Sequence, residues 1–352
     1  MVIIGIDAHT QTHTAGAIDE QGRALATLEV GASPRELERL LAWVQSLGDV
    51  RLVAVEGAKG FGLPLTRRLL AAGQEVVDVP THLTADGRRS SRSRGKDDPA
   101  DAITIARIAL REPGLPKLRE SHLAADLKLL VDARDQLVAE ATRVRNRLHA
   151  LLLTLAPGYR AETGALSNRS GLRTARRLVR QGQPEDPIRA RLALAAIRRL
   201  KLIEAEAADL EAEIREAVEA TGANRLLAVC GVGPIVAAKI LGETHDVGRF
   251  PSAAAFAAHA GVAPLPASSG TINRHRLNRG GNRQLNRALF TIAMVQARWD
   301  PQGSAYLTRK RAEGKSPPEA RRCLMRHLAA VVFRSMVADA AKARRDPQIG
   351  AA

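Results

Sequence analysis

VIIGID, residues 2–7, is a short apolar run closed by an acid, and RLVAVE, residues 51–56, repeats the arrangement. Runs of this length, rich in β-branched residues, read as buried strands. Asp7 and Glu56 therefore each end a strand, where a carboxylate emerges at the edge of a sheet. Between them, residues 13–19 and 23–30 read as two more strands joined by a turn at Glu20-Gln21-Gly22. Pro34 then opens an amphipathic helix from Arg35 to Leu47. After Glu56 come a Gly-rich turn, a helix near 62–72 and a strand at 75–79, EVVDV.

Three strands followed by β-α-β alternation predict a mixed sheet flanked by helices, the α/β pattern of a ribonuclease-H-like domain. GRRSSRSRGK (87–96) has five basic residues in ten and nothing to bury, so it reads as a phosphate-ordered loop presenting Arg88, Arg89, Arg92, Arg94 and Lys96. The next helix takes Asp98 as N-cap, Pro99 in its first position and Asp101 in its first turn.

From 121 to 155 the pattern changes to heptads. Leu130, Leu137, Val144 and Leu151 recur every seven residues, beside a row of Leu127, Ala141 and Leu148 that Arg134 interrupts. Leu200, Ile203, Ala207, Leu210, Ile214 and Ala217 repeat the alternation of four and three. Two such helices, separated by a Gly/Arg/Pro-rich connector at 156–188, predict an antiparallel coiled-coil hairpin or an oligomerising arm. A compact, mostly helical region follows, its last helix running from about Pro318 to Ala343. The expected organisation is an α/β ribonuclease-H-like domain at 1–115, a helical coiled-coil region at 116–222, a C-terminal domain at 223–345 and a frayed tail at 346–352.

The net charge of +16 and pI near 10.9 point to a polyanionic partner, nucleic acid first. Residues 270–345 hold 17 Lys+Arg against 4 Asp+Glu, whereas residues 1–60 hold 5 against 8. One end reads as built to grip phosphates, while the other tolerates or needs acidic groups. Two distant cysteines exclude a disulfide framework and have no metal-ligand spacing. With neither a signal-peptide pattern nor a membrane-length apolar run, the expectation is a soluble cytoplasmic protein.

Four carboxylates converge in this reading. Asp98 and Asp101 lie i, i+3 on one helix face, and together with Asp7 and Glu56 they would repel one another unless a cation neutralised them. Hard Mg2+ or Mn2+ suits such a site and phosphoryl-transfer chemistry. Asp97 is the rival for the third position, although Pro99 favours Asp98. His9 and His13 alternate along a strand beside Asp7, but no further His or Cys follows nearby, and the histidines rank below the carboxylates as ligands. The turn Gly231-Val232-Gly233 between apolar helices has the helix-hairpin-helix pattern, whose N–H groups bind a DNA phosphate, or is a plain connector. In PLPASSGTINRHRLNRGGNRQLN (264–286), Ser268 and Ser269 precede Arg274, Arg276, Arg279 and Arg283, with Arg287 one residue beyond. A hydroxyl beside guanidinium groups can attack a phosphodiester; a phosphate-binding loop is the plainer alternative.

GIDAHT, VAVEG at 53–57 and Lys96-Asp97-Asp98-Pro99-Ala100-Asp101-Ala102 resemble the first domain of DEDD transposases. GVGPIVAAKIL, GVAPLPASSG and RGGNRQLNRAL resemble their C-terminal domain. The sequence is thus similar to the Piv-like family of bacterial insertion sequences, the IS-one-ten group that includes bridge-RNA-guided recombinases. That resemblance implies a RuvC-like domain with acids at Asp7, Glu56, Asp98 and Asp101, and a coiled coil leading to a smaller domain with a serine nucleophile. Ser269 falls on the serine before glycine, with Ser268 adjacent. It also implies a covalent serine–DNA link, a Mg2+-dependent composite site between subunits of a homo-oligomer, a Holliday-junction intermediate, and DNA sites specified by a structured RNA. The Asp97-Asp98 doublet departs from the family pattern, in which the first residue is more often neutral.

Two other readings compete with a transposase. A RuvC-like metal-dependent junction nuclease would form no covalent intermediate. An actin-like or sugar-kinase fold also opens on GID and a hairpin, but the chain lacks a second Gly-rich phosphate loop. Acids that proved dispensable would leave a non-catalytic nucleic-acid scaffold.

Overall fold

A computed structural model of the 352-residue chain describes residues 1–58, 60–81, 83–84, 98–112, 114–118, 122–183, 185–266, 275–276, 278 and 280–345. By its internal contacts the chain divides into two units, Met1–Ser121 and His122–Ala352.

The first unit is built on a sheet of β1 (Val2–Ala8), β2 (Thr12–Ile18), β3 (Ala24–Gly31), β4 (Val50–Glu56) and β5 (Val76–Val79). Their spatial order is β3-β2-β1-β4-β5. The first three strands form an antiparallel meander, and β1, β4 and β5 run parallel. This is the ribonuclease-H-like arrangement that the order of elements predicts. Strand alternation sorts the core onto two faces. Ile4, Ile6, Val53 and Val55 are buried with α1 (Pro34–Ser46) and α2 (Leu63–Ala71), through Leu37, Leu40, Leu65 and Leu69. Ile3, Ala54 and Val77 are buried on the other face with Ile103, Ile105 and Ala106 of α3 (Asp98–Arg111). Ser33 starts α1 by accepting the Glu36 amide at 3.4 Å, with Pro34 behind it.

The second unit is helical. Two helices of 34 residues, α4 (His122–Leu155) and α7 (Pro187–Ala220), pack on each other within the chain. At one end, Leu127, Val131, Ile214 and Val218 join the core of α8 (Asn224–Leu227), α9 (Pro234–Thr244), α10 (Ala253–His259), α11 (Arg283–Trp299), α12 (Pro301–Ala312) and α13 (Pro317–Arg345). At the other end Ala141, Val144, Leu148, Leu152, Ile197 and Leu200 form a second core. The Gly/Arg/Pro-rich stretch between the two long helices is itself largely helical. It folds into α5 (Tyr159–Thr163) and α6 (Arg169–Gln181), which bury Tyr159, Leu172, Ala175, Leu178 and Val179 in that second core. Spacings of three and four on α6 give it one apolar face, hidden in sequence by its arginines. Arg134, which breaks the apolar row, is held by Glu211 of α7 at 2.7 Å.

Candidate active site

The site in the first unit starts from a glycine. A Cβ on Gly5 would lie 2.2 Å from the Ala102 carbonyl oxygen and 2.3 Å from the Ala106 nitrogen, so α3 rests its backbone directly on β1. Its cross-strand partner Gly16 meets Ile103 in the same way, with the Ile103 nitrogen 3.0 Å from a built Cβ. Side chains two apart on a strand share a face. Asp7 therefore sits on the α3 side with Gly5, and so does Glu56 with Ala54. Asp7 and Glu56 are register partners on adjacent parallel strands, which lie about 4.8 Å apart. The first turn of α3 holds Asp98 and Asp101, and Asp98 reaches this side.

Asp7 is buried, 3% exposed. One ligand atom each from Asp7, His9 and Asp98 lies within 4.8 Å of the other two. His9 Nε2 is 3.2 Å from Asp7 Oδ2. Glu56 and Asp101 lie outside that tight group. Glu56 Oε1 accepts from Thr84 Oγ1 at 2.9 Å, and the same hydroxyl is 2.9 Å from the Thr81 carbonyl, so Thr84 braces the acid. His13 is buried; burial, and then the neighbouring His9, lower its pKa, which favours the neutral imidazole. The donors fit a divalent cation. Two carboxylates suit Mg2+ or Mn2+, and the imidazole tilts the set toward an ion softer than Mg2+. His9 thus stands closer to the acids than the sequence ranking gave it, because Asp98 reaches it from a distant element. Thr84 carried no sequence signal.

A DEDD-type model described as the IS110 transposase matches residues 4–157, and a second, described as the transposase IS116/IS110/IS902 family, matches residues 223–308. The 42 kDa protein of insertion element IS900 from Mycobacterium paratuberculosis is 30% identical, with 90% of each chain covered. The chain belongs to the IS110/IS116 transposase family. It is a DNA transposase, an enzyme that cleaves and rejoins DNA strands. Two other relatives are each 29% identical: the 43.6 kDa protein of IS110 from Streptomyces coelicolor, with 94% of this chain and 93% of the relative covered, and the 44.8 kDa protein of IS116 from Streptomyces clavuligerus, with 88% of each. Among solved structures, Thermus thermophilus RuvC, alone and with a Holliday junction substrate, is 19% and 18% identical, with TM-scores of 0.26 and 0.28. These cover 34% of this chain and 100% and 99% of RuvC. The fold rests on the strand order and the family model.

The second family segment, residues 223–308, includes the two serines Ser268 and Ser269. Leu265–Pro266 pairs antiparallel with His275–Arg276, so residues 267–274 join two short strands. Ser268, Ser269, Arg274 and Arg279 lie outside the described residues, as do Arg88, Arg89, Arg92, Arg94, Lys96 and Asp97. Arg276 falls on the second of the short strands. Arg283 and Arg287 are exposed in the first turns of α11. Asn282 caps that helix, accepting the Gln284 and Leu285 amides at 3.0 and 2.9 Å. Gly231 has a φ of 91°, and a Cβ there would press within 3.2 Å of Ile292, so packing on α11 requires it. Gly233 caps α9 with open space before it. Partly buried bonds also brace this region: Lys239 bonds Asp135 and Gln284, and Lys128 bonds Glu243 and Asp132. A lysine inside the apolar run of α9 was their one trace in the sequence.

Among the described residues, no helix is long and apolar enough to cross a membrane.

Proposed function

We propose that this transposase joins DNA by a serine-linked transesterification, with Asp7, Glu56, Asp98 and Asp101 serving strand cleavage around a divalent metal. The observation that carries the metal half is the tight group of Asp7, His9 and Asp98 beside Glu56. These side chains would hold Mg2+ or Mn2+, which would supply charge neutralisation at the phosphate under attack. The serine half rests on the resemblance of GVAPLPASSG and on the arginines that follow it.

In the proposed step, Ser269 Oγ forms a bond to phosphorus and the bond from phosphorus to one deoxyribose oxygen breaks. The serine proton leaves to a base or water, and the departing oxygen takes a proton to become a hydroxyl. One phosphate ester replaces another, so a new strand's hydroxyl can reverse the step without an external energy source. Arg274, Arg276, Arg279, Arg283 and Arg287 neutralise the phosphate, and the basic residues of 88–96 hold the strand. Gly231 and Gly233 would offer backbone N–H groups to a further phosphate. A structured bridge RNA selecting the DNA sites, a homo-oligomeric assembly with a coiled-coil arm, and action in the bacterial cytoplasm complete the reading; the family resemblance and the +16 charge support them.

Excision of the element in cells tests both halves. Asp7→Ala and Ser269→Ala should each reduce excision at least about a thousandfold, with DNA binding in a gel-shift assay retained. Full recombination by Ser269→Ala would remove the serine role, and by Asp7→Ala the acidic one. A junction nuclease remains the second reading, favoured only by cleavage that persists without Ser269.

A further inference from the structure

We infer that a cleft between α6 and α7, remote in sequence from both catalytic segments, is a binding site for the sugar-phosphate backbone of duplex DNA. Arg173, Arg176, Arg177, Arg180, Gln181 and Lys201 line a concavity of about 410 Å3. Residues 157–203 carry 11 Lys+Arg against three Asp+Glu, and α6 itself has five arginines and no acid. Solvated helix faces usually mix signs, because like charges a turn apart repel. Here only Arg177 is neutralised, by Glu162 at 2.9 Å; among the described residues Arg173, Arg176, Arg180 and Lys201 have no carboxylate partner. An array of unpaired cations facing one hollow is complementary to a polyanion.

The platform is rigid. Leu172, Ala175, Leu178 and Val179 anchor α6 in the core that α4 and α7 share, so the guanidinium groups stand on fixed backbone. Arginine matches phosphate oxygens in bidentate geometry and loses less freedom per bond from such a platform. No aromatic lines the cleft, so it offers no stacking surface to splayed single-stranded bases. That chemistry selects a duplex read through its backbone, and duplex DNA is the partner on which a transposase acts. Such contacts position a duplex without reading its sequence.

The salt dependence of binding tests this with the full chain. A nonspecific duplex DNA and an RNA hairpin of equal length serve as probes. Arg173→Ala/Arg176→Ala/Arg180→Ala is compared with wild type and with Arg35→Ala/Arg51→Ala/Arg111→Ala, which removes the same charge from exposed positions in the first unit. Each lost phosphate contact lowers the slope of log K against log salt by about 0.9. The cleft variant should therefore lose about two to three in slope on DNA and bind about tenfold or more weakly. The control should change little, and Arg→Lys at the same three positions should keep the slope, with all variants melting like wild type. An unchanged slope for the cleft variant, an equal loss in the control, or a loss confined to the RNA probe would overturn the assignment.

Discussion

Glu243 shares its two carboxylate oxygens between Lys128 Nζ at 2.5 Å and Asn282 Nδ2 at 2.6 Å. Burial alone would raise its pKa. The Lys128 and Asn282 hydrogen bonds and the Lys128 charge outweigh that, and hold it below the ordinary 4.5. A carboxyl with a depressed folded pKa adds stability that is complete above its unfolded pKa and is lost as pH falls through the folded one. Glu243→Gln should therefore be less stable than wild type near neutral pH, by about 1–2 kcal/mol. The gap should shrink as pH falls below 4.5, measured by urea unfolding at both pH values. A gap that stayed constant with pH would mean the carboxylate's charge plays no part. Asn282 is also the cap of α11, so this pair anchors the start of that helix. Pairs of this kind were illegible in the sequence, because Lys128 and Glu243 stand 115 residues apart. Asp7 and Glu56 were legible because each closes an apolar strand.

The decisive contact between elements is α3 on β1, through Gly5 and Ala102. Gly5→Ala must push α3 away or distort β1, since the nearest atoms are backbone. Overpacking of this sort costs about 1–3 kcal/mol, and here it also displaces Asp98 from Asp7. The expected outcome is a lowered melting temperature together with loss of strand cleavage, whereas Ala8→Gly, at a position facing the other side of the sheet, should lower stability without abolishing cleavage. Cleavage at wild-type levels by Gly5→Ala would contradict the seating of α3. The strands and α1 were legible to within about a residue from the short apolar runs and from Pro34; the Ser33 cap went unread. The ends of an element fray or shift by a residue in any assignment. α5 and α6 were not legible, because glycine, proline and arginine mask an apolar face only four positions wide. Its burial depends on Leu148, Leu152 and Ile197, which lie on other helices.

At the scale of the whole chain, residues 1–121 carry 16 Lys+Arg against 16 Asp+Glu and residues 122–352 carry 37 against 21, so the excess of positive charge lies in the helical second unit. Each unit has its own core, so a damaged site in one leaves the fold of the other standing. The proposed metal and serine roles can therefore each be probed by a substitution in its own unit. The most direct measurement is denaturing electrophoresis and mass mapping after the full chain is incubated with labelled element-end DNA and Mn2+ or Mg2+. Wild type is expected to give a covalent protein–DNA adduct mapped to Ser269, lost on chelation of the metal and lost in both Asp7→Asn and Ser269→Ala. Cleaved DNA with free ends, no adduct and an undiminished rate in Ser269→Ala would contradict it and identify a hydrolytic nuclease.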